Sequence, residues 1–312
     1  MCGGLIDKNP PVENEMTLSV IIPVHGRPEL LIRCLQSLKQ DLQGHVDVEY
    51  SVCVVDDGSN LDEKLIRKQS DIDYPLAWHT QAVNRGRSAA RNEGIRATSG
   101  DIVVFLDSDM EARPGFLKAH HSCHKEHPKT AVIGTIHWPK GGGFLRYIGS
   151  RGVLKLKSGE PVPPWYFVTG NASVMRADLP GDSPFDEQSP AWGGEDQDLG
   201  LRLDARGVSF MHAFGAESYH NFHGTLVQHL QRTGLYGREA LPGLVERHPT
   251  LRKAVHLDFL ETLTGRLAVS APVYYPVYGI VRLLDALPLP SRLYDYLTFA
   301  AYGRGWLERT RS

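Results

Sequence analysis

Gly100-Asp101-Ile102-Val103-Val104-Phe105-Leu106-Asp107-Ser108-Asp109 is the stretch that decides the fold. Five apolar residues run without a break and stop at two carboxylates one residue apart. A short apolar run between turn signals predicts a strand buried on both faces, central in a parallel sheet. Open α/β sheets bind ligands beyond the carboxyl ends of their strands, so Asp107 and Asp109 stand where a ligand would be met. Two carboxylates this close repel unless something positive separates them. A hard divalent cation does so, and brings the phosphates of a substrate with it. A bare Asp-x-Asp also suits a solvated turn in which Asp109 caps the next helix, so the surrounding chain has to decide.

Towards the N-terminus, Leu18 to Val24 reads as a first strand, and Pro28 suits the first turn of a helix. Leu30, Leu31, Cys34, Leu35 and Leu38 then recur at helical spacing. Tyr50 to Val55 predicts a second strand ending at Asp56-Asp57-Gly58-Ser59, and a helix follows from Leu61 to Gln69. Leu76 to His79 is a weak third strand, Asn84 to Ser88 a basic loop, and Ala89 to Thr98 a helix. Strands alternating with helices through short loops give a doubly wound parallel sheet. Acidic clusters thus end two parallel strands, with arginines between them in sequence. Carboxylates for a metal and a base, and arginines for phosphate, are the parts of a nucleotide site. Neither the Gly-x-Gly-x-x-Gly fingerprint nor a Walker loop follows the first strand.

Composition is ordinary for a globular protein: 312 residues, net charge -2, 41% hydrophobic and 22% charged. A near-neutral balance gives no footprint for nucleic acid. Cys2, Cys34, Cys53 and Cys123 share no tight spacing, which fits reduced thiols and a cytoplasmic setting. Residues 1–16 are polar, lack a signal pattern and are expected to be a flexible tail.

The strings "SVIIPVHGRPELLIRCLQSL", "VVDDGS" and "NRGRSAARNEGIRATSGDIVVFLDSD", in this order, resemble a family 2 glycosyltransferase with the GT-A fold over roughly residues 17–225. That resemblance implies an α/β, Rossmann-like, mostly parallel sheet flanked by helices over 17–235, followed by a helical C-terminal extension over 236–312. It places Pro23, Val24, His25, Arg27, Asp56, Asp57, Arg87, Arg91, Asp107 and Ser108 around the nucleotide, with Asp107 and Asp109 as the metal motif under the diphosphate. His25-Gly26 departs from the pattern, since the family more often has an aromatic residue followed by Asn here.

Beyond Asp109 a helix is expected over 114–126, with His120 and His124 four apart; as no Glu or Cys completes a metal set with them, they read as a solvated helix end. Thr130 to His137 is a further strand, and Pro139 to Pro164 predicts a mobile loop over the site. Gly170-Asn171 is expected to bring backbone and amide groups to the donor sugar. Trp192-Gly193-Gly194-Glu195-Asp196 precedes a helix, where Trp192 offers a face for a sugar ring and the glycines allow close approach. The two acids also suit the helix dipole without any chemistry. The string is similar to the Trp-Gly-Gly-Glu-Asp motif of β-1,4-galactosyltransferases and bacterial chondroitin-type polymerases. By that resemblance Asp196 is the catalytic base and Glu195 holds the acceptor hydroxyl. Those galactosyltransferases also carry a metal-binding residue-x-x-His pair near this place, so either His220 or His223 is expected to join the metal. An imidazole among oxygens favours Mn2+, with Mg2+ as the alternative.

Leu267 to Leu287 is apolar over about the length of a membrane span, but it contains Pro272, Pro276, Arg282 and Asp285. It reads instead as helices packed on the domain or lying at a membrane surface. The implied function is inverting transfer from a nucleotide-diphosphate donor, a UDP-sugar first, to a hydroxyl of a glycan or lipid-linked acceptor. Peripheral contact with the inner face of a membrane would run through the extension. The competing readings are a nucleotidyltransferase and a non-catalytic carbohydrate-binding protein.

Overall fold

The computed structural model describes residues 16–45, 49–72, 74–157, 160–188, 193–221, 224–287 and 289–309. The expected N-terminal tail, apart from Met16, lies outside them, as do Trp192 and His223. The first half alternates as expected: β1 (Leu18–Val24), α1 (Pro28–His45), β2 (Tyr50–Asp56), α2 (Glu63–Ser70), β3 (Leu76–Thr80), α3 (Arg87–Arg96) and β4 (Ile102–Leu106). Then come β5 (Met110–Ala112), α4 (Phe116–Glu126), β6 (Thr130–His137), α5 (Gly143–Ile148), β7 (Asn171–Met175), α6 (Glu195–Ala205) and β8 (Ser209–His220). These strands form one sheet in the order β3-β2-β1-β4-β7-β6-β8-β5. The β1–β2, β2–β3, β1–β4 and β6–β8 pairs are parallel, while β4–β7, β6–β7 and β5–β8 are antiparallel. The sheet is therefore mixed, its doubly wound half joined to a second half through the reversed strand β7.

Side-chain alternation along the central strands feeds two cores. Val20, Ile22, Val104 and Leu106 meet Leu31, Leu35 and Leu38 of α1 on one face. Ile21, Val103 and Phe105 meet Ile95 of α3 and Leu199 and Leu203 of α6 on the other. Because helices cover both faces, β4 is apolar at every position and fully buried. Full burial of one such side chain stabilises the fold by roughly 1.5–3 kcal/mol.

The C-terminal part is helical: α7 (Leu226–Leu235), a π-helical turn (Tyr236–Ala240), α8 (Leu241–Arg247), α9 (Leu251–Ala254), α10 (Leu257–Glu261), α11 (Leu263–Ala268), α12 (Ala271–Leu283) and α13 (Ser291–Arg309). Thr225 caps α7 in a reciprocal box with Gln228. The shared core of this layer begins at Leu226 and includes Phe144 and Tyr147 of α5 and Leu201 of α6. The helical layer thus starts one helix before residue 236 and is built onto the sheet domain. No helix among the described residues is long and apolar enough to cross a membrane.

The described residues of 139–164, expected as a mobile loop, are instead built into the molecule. Phe144 and Tyr147 are buried among the C-terminal helices, and Val153 and Val162 in the α3–α6 core. Asp285 anchors them, accepting the Phe144 amide at 2.8 Å.

Candidate active site

The carboxyl ends of β1, β2 and β4 open into a cleft of about 740 Å3, within the range usual for a small-molecule site. Pro23, Val24 and His25 line it from β1, Asp57 from β2, Arg87, Ser88 and Arg91 from α3, and Asp107, Ser108 and Asp109 from β4. Gly193 and Glu195 close it from the start of α6. Residues expected from stretches far apart in sequence are brought to one cleft.

The two acids after β2 separate. Asp57 faces the cleft and accepts the amides of Arg85 at 2.6 Å and Gly86 at 2.9 Å, which fixes the basic loop over the strand end. Asp56 turns away: its carboxylate takes the Ser59 hydroxyl and the Ser59 and Leu61 amides, and it is fully buried. Asp56 therefore shapes the turn instead of lining the cleft. Gly58 makes that turn feasible, with φ 72° and backbone so close to Val83 that a Cβ would stand 2.3 Å from its carbonyl carbon. Arg27 does not line the cleft either; it sits exposed at φ 52° after Gly26, and its charge acts on Asp109 from a distance.

Arg91 is the centre of the site. Its side chain is 1% exposed, and its guanidinium lies 2.9 Å from Asp107, 3.5 Å from Asp196 and 3.6 Å from Glu195. Its flat face lies 5.5 Å from the ring centre of Phe185. A buried cation held by three carboxylates ties the end of β4 to the start of α6. Arg91 is thus engaged with protein carboxylates, whereas Arg87, 40% exposed and 3.3 Å from Glu195, still faces the cleft.

Asp196 sits in the first turn of α6 and accepts the Thr169 hydroxyl at 2.6 Å and the Thr169 amide at 3.2 Å. Burial pushes its carboxyl up to about 6, against the pull of Arg91 in the other direction and with the help of Glu195. A fifth of the side chain stays exposed, enough for a small group to reach it. A carboxylate tuned towards neutrality beside a cleft is suited to take up a proton.

Asp109 carries a carboxyl raised by burial, lowered by His220 and raised again by Asp107. Its Oδ1 is 3.6 Å from His220 Nε2, and Trp138 packs against the His220 ring with centres 4.6 Å apart. Among the described residues no three His, Cys, Asp or Glu side chains converge as a complete metal site. Asp109 and His220 still offer one carboxylate and one imidazole at adjacent strand ends. That donor pair fits a divalent ion whose remaining ligands come from phosphate and water.

Asn171 is not in the cleft. Its amide donates to the carbonyl of Ala216 and to Ser218 Oγ, each at 2.9 Å, and its oxygen lies 3.1 Å from His120 Nε2. Ser173 Oγ lies 2.8 Å from both His120 Nδ1 and His124 Nε2. These histidines are buried beneath the sheet, not on a solvated helix end, and burial lowers them to about 4 and about 3. They are neutral packing groups. Gly170, just before, does reach the site: its carbonyl accepts the Asp107 amide at 3.3 Å.

Several contributors carry no local signal in the sequence. Glu187 bonds Arg85 at 2.7 Å and Asn92 at 2.8 Å, holding the chain at Phe185 to Glu187 against α3. Asp198, two residues after Asp196, is buried with Arg202, Arg247 and His248 at 2.8, 2.9 and 3.0 Å. Burial alone would raise its carboxyl, but His248, Arg202 and Arg247 hold it below the usual range. Tyr236, in the π-helical turn, donates to Gln197 at 2.6 Å. Gly194, at φ 93°, leaves room for Leu244, which a Cβ would approach to 2.8 Å. The C-terminal helices therefore grip the start of α6.

A nucleotide-sized cleft at the strand ends of a mixed α/β sheet, with acids on two of its walls, is the arrangement of GT-A enzymes. The sequence profile described as glycosyl transferase family 2 matches residues 19–179, just over half of the chain, and the chain belongs to that family. It is 28% identical over 260 residues to an uncharacterised glycosyltransferase, YfnE, of Bacillus subtilis, covering 67% of this chain and 65% of that one. It is 31% identical over 245 residues to the pre-mycofactocin glycosyltransferase of Mycobacterium tuberculosis, covering 74% and 48%. It is 25% identical over 252 residues to the chondroitin synthase of Escherichia coli, covering 65% and 34%. The chain thus spans less than two thirds of the length of these relatives. In fold it is similar to the mannosyltransferase PcManGT of Pyrobaculum calidifontis, solved with GDP-Man and Mn2+, with a TM-score of 0.58 at 18% identity over 93% of this chain and 87% of that one. It is also similar to Staphylococcus aureus TarS 1-349 with UDP, with a TM-score of 0.56 at 18% identity over 95% and 92%.

Proposed function

We propose that this protein transfers a sugar from a nucleotide-diphosphate donor, a UDP-sugar first, to a hydroxyl of a glycan or lipid-linked saccharide, with inversion at the anomeric carbon. The observation that carries this reading is the buried Arg91, which joins Asp107 on the strand-end wall to Glu195 and Asp196 on the α6 wall. The nucleoside would lie against Pro23, Val24, His25 and Asp57, with its diphosphate towards Ser108, Asp109 and Arg87. PcManGT was solved with GDP-Man and TarS with UDP, which supports a nucleotide-linked donor for a protein of this fold.

In the proposed step the acceptor oxygen attacks the anomeric carbon from the face opposite the diphosphate. The carbon–oxygen bond to the diphosphate breaks, the leaving oxygen keeps the electron pair, and the acceptor proton passes to Asp196. Glu195 orients the acceptor hydroxyl, and Thr169 holds Asp196 in place through its two hydrogen bonds. Asp109 and His220 would hold a divalent ion, Mn2+ or Mg2+, whose charge offsets that of the leaving diphosphate. Arg87 can add a second positive group there. Gly193 and Trp192 are proposed to border the acceptor.

The test is a panel of nucleotide sugars with Mn2+, read as nucleotide diphosphate release and as anomeric configuration of the product. Release by the parent and loss in Asp196→Asn, with donor binding kept, is the expected result. No release from any nucleotide sugar, or full activity in that variant, would remove the reading.

A further inference from the structure

The solvent side of α12 is apolar along its whole length. Its exposed residues are Ala271, Pro272, Val273, Tyr275, Pro276, Gly279, Ile280, Arg282 and Leu283, with a single charge among them. Ile280 is 55% and Leu283 82% exposed. The neighbouring α11 presents Leu263 at 84% and Leu267 at 62%, and the turn after α12 presents Leu287 at 52%. Scattered exposed leucines need no explanation, but a run of them along consecutive short helices does. The inward side accounts for the stability of the segment: Tyr274 and Val281 are buried in the C-terminal core. The outward leucines add nothing to that core.

Charge identifies what covers this face. From Thr262 to Arg292 the exposed charged residues are Arg266, Arg282 and Arg292. The one acid in that stretch, Asp285, is turned inward, accepting the Phe144 amide at 2.8 Å and the Tyr294 hydroxyl at 2.6 Å. At the border Arg304 lies 5.4 Å from the ring centre of Tyr275. The exposed acids just before this stretch, Asp258 and Glu261 of α10, are both paired with Arg252, at 2.6 and 2.5 Å, so the charge on the apolar strip itself is arginine, which complements a layer with an apolar interior and anionic headgroups. It does not complement itself: a two-fold contact between copies would bring Arg266, Arg282 and Arg292 together, and the exposed acids just before them in sequence, Asp258 and Glu261, are already engaged by Arg252. Proline at 272 and 276 and the shortness of the helices suit an element lying along a surface, not one crossing it.

We propose that α11, α12 and the turn to Leu287 form the docking face of a peripheral membrane protein, seated on an anionic phospholipid surface by Leu263, Leu267, Ile280, Leu283 and Leu287 and held by Arg266 and Arg282. The inference does not depend on the reaction catalysed, because none of these residues lies in the cleft.

The experiment is co-flotation of the full chain with vesicles of phosphatidylcholine alone and of phosphatidylcholine mixed with phosphatidylglycerol, at low and high salt. The chain should float with the mixed vesicles, weakly with the neutral ones, and less at high salt, because headgroup attraction is screened. Arg266→Ala and Arg282→Ala should each weaken binding about fivefold. Leu267→Glu with Leu283→Glu should abolish it while leaving the melting transition intact, since both side chains are exposed. Phe214→Glu, at another exposed apolar position, on β8, should change nothing. Absence of flotation on anionic vesicles at low salt would overturn the proposal. So would flotation unaffected by the double leucine variant. A dimer in sedimentation that Leu283→Glu dissolves, with no flotation, would assign the face to a second copy instead.

Discussion

Asp196→Asn separates stability from activity at one atom. In the folded chain the carboxyl sits at about 6, raised from 3.8 chiefly by burial. A tenfold change in proton affinity is worth about 1.4 kcal/mol, so holding the ionised form above neutral pH costs the fold up to about 3 kcal/mol. The amide resembles the protonated carboxyl in shape and charge and carries no such cost. The sign follows from linkage: the folded state binds the proton more tightly than the unfolded one, so the parent loses stability as pH rises from about 4 through about 6. The variant should therefore be the more stable protein at pH 8, by up to about 3 kcal/mol, and the gap should fall to roughly half near pH 5 and almost vanish near pH 4. Urea unfolding of both proteins across that range measures it. Transfer should fall by roughly 10²–10⁴ in the variant, as expected for loss of a general base. In the parent the rate should rise with pH through about 6, as the base loses its proton. A variant less stable than the parent at pH 8, or a gap that does not change with pH, would refute the argument that burial dominates the environment of Asp196.

With UDP present, Mn2+ should raise the melting temperature of the parent and not that of Asp109→Ala; equal stabilisation of the two would move the metal elsewhere. Gly194→Ala forces a non-glycine residue to φ 93° against Leu244 and should cost about 1–3 kcal/mol in urea unfolding together with much of the transfer rate; retention of both would mean that the start of α6 adapts. Asp198→Asn should destabilise by about 1–3 kcal/mol at neutral pH by weakening the bonds to Arg202, Arg247 and His248. Because that carboxyl is held below its usual range, the loss should shrink as acid protonates it in the parent, and a loss independent of pH would argue against an ionic cause.

What the sequence reveals about this fold follows from how local each signal is. β1, β4 and β6 are legible because their apolar runs are buried on both faces, so composition and boundaries coincide. The first strand and Thr130–His137 fall where the residues alone put them. Asp56 and Asp57 show where legibility fails. Neighbouring acids at a strand end point opposite ways, and only the turn through Gly58 decides that Asp57 meets the cleft while Asp56 binds Ser59 and Leu61. Asn171 fails for a similar reason: it begins β7 opposite Leu106, and its side chain falls on the face covered by α4. The grip of the C-terminal helices on α6 is the least local feature. Asp198 finds Arg247 and His248 about fifty residues away, and no spacing rule reaches that far. That grip bears on function as well as stability. Gly194, Gln197 and Asp198 are all held by the helical layer, so the position of Asp196 between them depends on residues 236–248. The helical layer is thus part of the structure that sets the geometry of the proposed base, and removing it should disturb the cleft before it disturbs the parallel half of the sheet.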